Sequence, residues 1–197
     1  MKTGSTDPNR DERRVQIKRA ALKVFAHHGL MGTKMSMIAK EAGISDGLSY
    51  RYFKSKDEIL AELVKDAVEG SNEAFALIRN MPGSPLEKIR ALTKEILQED
   101  NHHFILMQQV MSADNLPKEI AELMKDHDTA GMIDTVTSVV AAGQQAGQFL
   151  EGNPRDIAMW YLTSIVGLMN LRTHELEGYR PPDIDFMMRL VVKPTLL

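Results

Sequence analysis

The chain has 197 residues and no Cys, which excludes disulfides, thiolate metal sites and Cys nucleophiles. At this length it can bury roughly 70% of its unfolded surface without a staple. Its formal charge of −3 is uneven: residues 1–60 hold 12 Lys+Arg against 7 Asp+Glu (net +5), and residues 61–197 hold 12 against 20 (net −8), so a basic head precedes an acidic body.

The opening MKTGSTDPNRDERR has no apolar core of signal-peptide length, and no run reaches the ~20 apolar residues of a membrane span. A soluble cytoplasmic protein without membrane contact is expected. Residues 1–10 are polar and read as a disordered arm. From Asp11 the pattern is helical: Ile17, Ala20, Ala21, Val24 and Phe25 form one stripe, and Gly29 ends it. Thr33 is placed to cap a short helix with Met35, Ile38, Ala39 and Ala42 on its apolar face. Gly43 then leaves the helix with φ > 0, and Ser45 caps the next helix, from about Asp46 to Phe53. Helix, short Gly turn and helix make a helix-turn-helix, whose second helix enters the major groove of DNA.

A long helix follows to about Asn80, opened by Ser55 and Glu58 as a capping box. Met81-Pro82-Gly83-Ser84-Pro85 breaks it, and Ser84 with Glu87 opens another. His102 to about Met111 is a further apolar helix. After Asp114-Asn115-Leu116-Pro117 one long helical region is expected to about Gly147, with Gly131 and Gly143 as weak points. Asn153 and Pro154 open a strongly apolar helix to about Glu177, expected to be buried on all sides, either in the core or between subunits, and Asp183 starts a last one that stops near Pro194. The fold class is therefore all-α, with about nine helices: a three-helix N-terminal head and a larger helical body.

The residues that carry a resemblance are F-x-x-x-G from Phe25 to Gly29, Thr33, IAKEAGIS from Ile38 to Ser45, and GLSYRYFKSK from Gly47 to Lys56. Over about residues 15–60 they closely resemble the TetR/AcrR family of bacterial transcriptional regulators. Beyond that, only the architecture is similar. The resemblance implies an all-α homodimer and no enzyme. Residues 11–56 would be the helix-turn-helix DNA-binding domain, and 57–197 the ligand-binding and dimerisation domain. The expected function is that of a ligand-responsive regulator, a repressor released from a near-palindromic double-stranded DNA operator when a small, largely apolar effector binds the C-terminal domain.

At DNA, the first turn of the second short helix at Ser45, Asp46 and Gly47 offers free backbone N–H groups to a phosphate, and Gly47 lets the backbone come close. Tyr50, Lys56 and Thr33 can also reach phosphates, which fixes register. Lys34, Ser36, Asp46, Leu48, Ser49 and Arg51 are the candidate base readers. Arg51 can bind guanine O6 and N7 or clamp a phosphate, and Leu48 can touch a thymine methyl. Asp46 can accept from a cytosine or simply favour the helix dipole. Many family members have a basic or polar residue at Asp46 and Thr-Leu at Leu48-Ser49. Arg10, Arg13 and Arg14 can serve as a DNA-binding arm or as a solvated start. Tyr52 and Phe53 are expected in the core.

Thirteen Met is a high count. Met107, Met111, Met124 and Met132, with Phe104, Trp160 and Tyr161, can line an adaptable apolar pocket or merely fill the core. Ser164, Gly167, Leu168, Leu171, Met187 and Leu190 are the expected dimer interface, as a two-fold bundle of residues 154–177 and 183–193. His102 and His103 point about 100° apart on a helix, so no shared metal site is expected, and no cofactor. A helical enzyme with a cavity is the reading from another class, but no catalytic set can be singled out. A helical interaction module that does not bind DNA is a third.

Overall fold

The computed structural model describes the backbone of residues 8–98, 101–173 and 183–194. Among these residues the chain forms ten α-helices and one 3-10 turn. The extended pairing is a single antiparallel bridge between Phe149 and Val192. The arm expected over residues 1–10 lies outside the described residues as far as residue 7, and α1 (Pro8–Gly32) opens immediately after it, with a kink at Gly29. No helix among the described residues is long and apolar enough to cross a membrane.

The chain divides into two compact units. The first takes α1, α2 (Met35–Glu41), α3 (Asp46–Tyr52), α4 (Lys56–Asn80) as far as Val68, and His102–Asp126. That last segment holds α6 (Asn101–Met111), α7 (Lys118–Leu123) and the 3-10 turn (Met124–Asp126). Ile17, Ala21 and Phe25 of α1 meet Ile38 of α2, Phe53 after α3, and Ile59, Leu63 and Val64 of α4 in one core. Leu106, Val110 and Ile120 complete it, so α6 and α7 support the helix-turn-helix. Gln109 of α6 donates to the carbonyls of Phe25 at 3.1 Å and Ala26 at 3.4 Å, just before the kink in α1.

The second unit holds the rest of α4, α5 (Pro85–Gln98), α8 (Thr129–Gln145), α9 (Pro154–Thr173) and α10 (Ile184–Met188). Its core includes Ile89, Leu92, Val136, Val140, Phe149, Tyr161, Ile165 and Met188. Inside it the Tyr161 hydroxyl and the Thr93 hydroxyl are 2.7 Å apart, and Thr93 also donates to the Ile89 carbonyl at 2.7 Å. Burial pushes the Tyr161 phenol up from its ordinary range, because a phenolate there would be poorly solvated.

Several local expectations correspond to observed caps. Ser45 accepts from Leu48 N–H at 3.3 Å, and Ser84 and Glu87 satisfy each other's backbone N–H groups at 3.3 and 2.7 Å. Glu58 N–H donates to Ser55 at 3.1 Å, but the Glu58 carboxylate reaches Lys54 N–H rather than that of Ser55. Gly43 has φ 66°, the left-handed turn expected of it.

Several expectations need correction. The N-cap of α2 is Lys34, not Thr33; Thr33 is buried and its hydroxyl donates to the Gly29 carbonyl at 2.8 Å, closing α1. The single region expected after Pro117 to about Gly147 divides into α7, the 3-10 turn and α8. Asp128 caps α8 by accepting from Gly131 N–H at 2.8 Å, so Gly131 sits in a first turn and not at a mid-helix weak point. Gly143 is a packing site: a Cβ there would lie 2.2 Å from the Phe149 ring. α10 ends at Met188, where the chain turns into the Phe149–Val192 bridge, with Leu150 N–H donating to Val191 at 2.9 Å. Within one subunit α9 is two-faced: Ala158, Tyr161, Ile165 and Met169 are buried, while Met159, Trp160 and Val166 are exposed, which leaves that face to the alternative of burial between subunits.

Candidate nucleic-acid interface

The helix-turn-helix presents opposite faces to the core and to solvent because its apolar residues recur at helical spacing. Met35, Ile38, Ala39, Ala42 and Phe53 are buried. Lys34, Ser36, Ser45, Asp46, Gly47, Tyr50 and Arg51 are exposed, and Leu48 is half-buried beside them. These eight side chains and backbones gather on the outer edge of α3 and the start of α2, as a groove-reading element requires. Tyr50 keeps 54% of its surface free. Apart from its chain neighbours and the local backbone of α3, nothing lies within 4 Å of where a Gly47 Cβ would be, so no packing contact calls for glycine there.

Three sequence candidates sit elsewhere. Ser49 is fully buried, and its hydroxyl donates to the Asp46 carbonyl at 2.7 Å, stiffening α3 from within. It cannot read a base from that position. Thr33 is buried and turned toward Gly29. Lys56 is half-buried, and its ammonium donates to the carbonyls of Leu30 at 2.8 Å and Thr33 at 3.0 Å. A cation near a helix C-terminus satisfies the last carbonyls there.

Arg14 is part of neither a DNA-binding arm nor a solvated start: it points inward. Its Nη1 donates to the Tyr52 carbonyl at 2.6 Å, its Nη2 pairs with Glu62, and its guanidinium lies 4.1 Å from the Phe53 ring centroid. Lys18, one turn on, pairs with Asp66 and with Glu62 at 3.7 Å. Gln16 donates to the Ala42 carbonyl at 2.7 Å and so caps the end of α2. Arg13 stays on the surface and donates to Gln16 at 2.6 Å. The signal for the Arg14 arrangement was present in the sequence: two bases at 14 and 18 and two acids at 62 and 66, each pair four apart on a helix face.

A cleft of about 370 Å³ opens on the head between Lys23, Val24, His27 and His28 of α1, Glu41 of α2 and His102 of α6. The His27 and His102 rings meet edge to face at 5.8 Å.

Residues 17–63 match the family model described as bacterial regulatory proteins, tetR family. Over those residues the chain carries a TetR-family DNA-binding domain. It is a DNA-binding transcriptional regulator and not an enzyme. The fatty acid metabolism regulator protein of Bacillus subtilis (strain 168) is 29% identical over 143 residues, 70% of this chain and 71% of that one. The crystal structure of the Bacillus subtilis regulator FadR in complex with stearoyl-CoA is 25% identical, with a TM-score of 0.59 over 89% of this chain and 94% of that one. The ketosteroid regulator KstR2 of Mycobacterium tuberculosis shares the fold at 18% identity, with a TM-score of 0.69 over 97% and 98% of the two chains.

The residues expected to line a TetR-family effector pocket fall in both units. Phe104, Met107, Met111 and Met124 belong to the first; Met132, Trp160 and Tyr161 belong to the second. Met107 and Met124 pack against the head core, Phe104 is half-buried and Met111 is 56% exposed. Met132 is half-buried with the Ser71 hydroxyl 3.8 Å from its sulfur, Tyr161 is a core residue, and Trp160 is 73% exposed. Trp160 therefore does not belong among pocket-lining residues.

Of the expected dimer-interface residues, Gly167 and Leu190 are exposed and Ser164 and Leu168 are half-buried. Met187 is 2% exposed and packs inside the second unit, which removes it from any contact surface. The Leu171 side chain lies outside the described residues. Phe186 of α10, not foreseen, is 58% exposed.

Proposed function

We propose that this regulator is a ligand-responsive repressor of the TetR family. Two copies of the head bind a near-palindromic operator, and a small, largely apolar molecule bound by the body (residues 57–197) releases it. The observation that carries this reading is the polarity of the helix-turn-helix: Phe53 and Ile38 anchor it in a core, while Lys34, Ser36, Tyr50 and Arg51 stand free on its outer edge. Arg51 and Leu48 are the base readers, and the N–H groups of Asp46 and Gly47 hold a phosphate. The exposed apolar side chains of α9 and α10 support a homodimer formed through the second unit.

The relatives support a reading of the effector class. A fatty acid metabolism regulator and a structure holding stearoyl-CoA favour a long acyl group over a small polar guest. Half-buried Met132 of α8 is a suitable adaptable lining residue.

Selection of bound duplexes from a random pool tests the core of the proposal. A near-palindromic consensus whose affinity falls steeply with salt is expected. Retention of every duplex alike would overturn it. Addition of stearoyl-CoA, with free CoA as control, then tests release from the selected duplex.

A further inference from the structure

Arg14 engages three groups at once, and all three bear on the recognition helix. Tyr52 is the last residue of α3, and its carbonyl accepts from Arg14 Nη1 at 2.6 Å. Phe53 follows directly, fully buried, with its ring under the guanidinium at 4.1 Å. Glu62, on the first half of α4, takes the other nitrogen. Arg14 and Glu62 side chains are 27% and 34% exposed, so water screens the pair only in part. Around them Lys18 bridges Glu62 and Asp66, so two turns of α1 are tied to two turns of α4.

We infer that Arg14 is a positioning residue for operator recognition: it fixes the C-terminal end of α3 to α4 through Glu62 and so sets the angle at which α3 meets DNA. This inference rests on the proposed operator binding. The planar fork suits the task. One edge serves a carbonyl, another a carboxylate, and the face serves an aromatic ring. A Lys ammonium has three donors but no planar face, so it cannot lie on the Phe53 ring while holding the carbonyl and the carboxylate in that fork geometry. The other end of α3 is held by the Ser45 cap and by the turn at Gly43, so the Tyr52 end is where a single side chain decides the tilt. Any displacement of the first half of α4 carries Glu62 with it and reaches Tyr52 through Arg14.

The test compares wild type with R14K and E62Q, the first keeping the charge and the second keeping the shape. Three quantities are read: thermal midpoint, amide exchange of residues 46–52, and affinity for the selected duplex against a scrambled one. For R14K the expected result is faster exchange confined to the Tyr52 end of α3. Affinity for the selected duplex should fall about tenfold and affinity for the scrambled duplex should change less than twofold, at an unchanged salt slope. E62Q should shift the same quantities in the same direction, by less. A parallel loss on both duplexes with a shallower salt slope would make Arg14 a phosphate contact and overturn the inference. A lowered midpoint with unchanged exchange in α3 and unchanged duplex preference would make it a purely structural tie and overturn it equally. If the wild type selects no duplex, the operator reading fails, and the exchange result still decides whether Arg14 holds α3.

Discussion

Lys56 donates its ammonium to the Leu30 carbonyl at 2.8 Å, across 26 residues, and the same nitrogen reaches the Thr33 carbonyl at 3.0 Å. The first residue of α4 therefore closes the last turn of α1 and holds the link into α2. This changes what its removal should do. Lys56→Ala is expected to lower stability by about 1–2 kcal/mol, the range for a charge-assisted bond that is partly screened. That corresponds to about 3–6 °C in melting midpoint for a chain of this size. DNA affinity should fall for all sequences with the salt slope kept. A slope reduced by about one unit per subunit would instead reveal a phosphate contact.

Lys56 and Arg14 also show which parts of the molecule were legible in the sequence. The caps at Ser45, Ser84 and Asn153 and the turn at Gly43 are local: each partner lies within about three residues, and the residue types announce the geometry. The core face of α1 and α2 was equally plain from periodicity. The Arg14–Glu62 pairing has a residue-type signal in the 14/18 and 62/66 spacing, but the ties of Arg14 to Tyr52 and of Lys56 to Leu30 do not, because those acceptors are backbone carbonyls 38 and 26 residues away. A carbonyl carries no residue-type signal. Ser49 was misplaced for a related reason: on a seven-residue helix a one-position error in phase exchanges the core for the DNA face.

Gly47 separates folding from binding. It lies in the first turn of α3 with empty space around it and no positive φ, so the free protein should prefer Ala there. Gly47→Ala is expected to raise stability by about 0.5 kcal/mol through helix propensity. The same methyl should weaken operator binding roughly tenfold, about 1.4 kcal/mol, by holding the backbone off a phosphate. Melting and duplex titration on one sample read both effects. Equal or tighter DNA binding would show that no phosphate approaches this turn.

The pH dependence of stability should carry a mark from His127. Desolvation lowers its pKa from the ordinary 6.5, partly opposed by the neighbouring Asp128 carboxylate. The folded state thus prefers the neutral ring, and the unfolded chain binds more protons just below that value. This contribution to stability is present above pH 6.5 and is lost as pH falls through the lowered folded pKa. His127→Gln should flatten the stability profile in that window while leaving the region above pH 7 nearly unchanged. Chemical denaturation at a series of pH values checks it; an unaltered slope below pH 6.5 would assign the dependence to other groups.

Trp160 offers the sharpest test of the proposed pairing, because it is the single Trp of the chain. In one subunit it is 73% exposed, Met159 beside it on α9 is exposed too, and so is Phe186 of α10. A large indole left in water is unfavourable by a few kcal/mol relative to burial, so a second copy gains by covering it. Dilution from micromolar to nanomolar concentration should therefore shift its fluorescence to the red as subunits separate. Trp160→Glu should yield a monomer by light scattering with near-wild-type melting of the second unit, since the residue contributes nothing to that unit's core. The monomer should also lose most of its operator affinity, because two half-sites are then bound independently. An emission that ignores concentration but responds to stearoyl-CoA would return Trp160 to the effector site and take it away from the dimer.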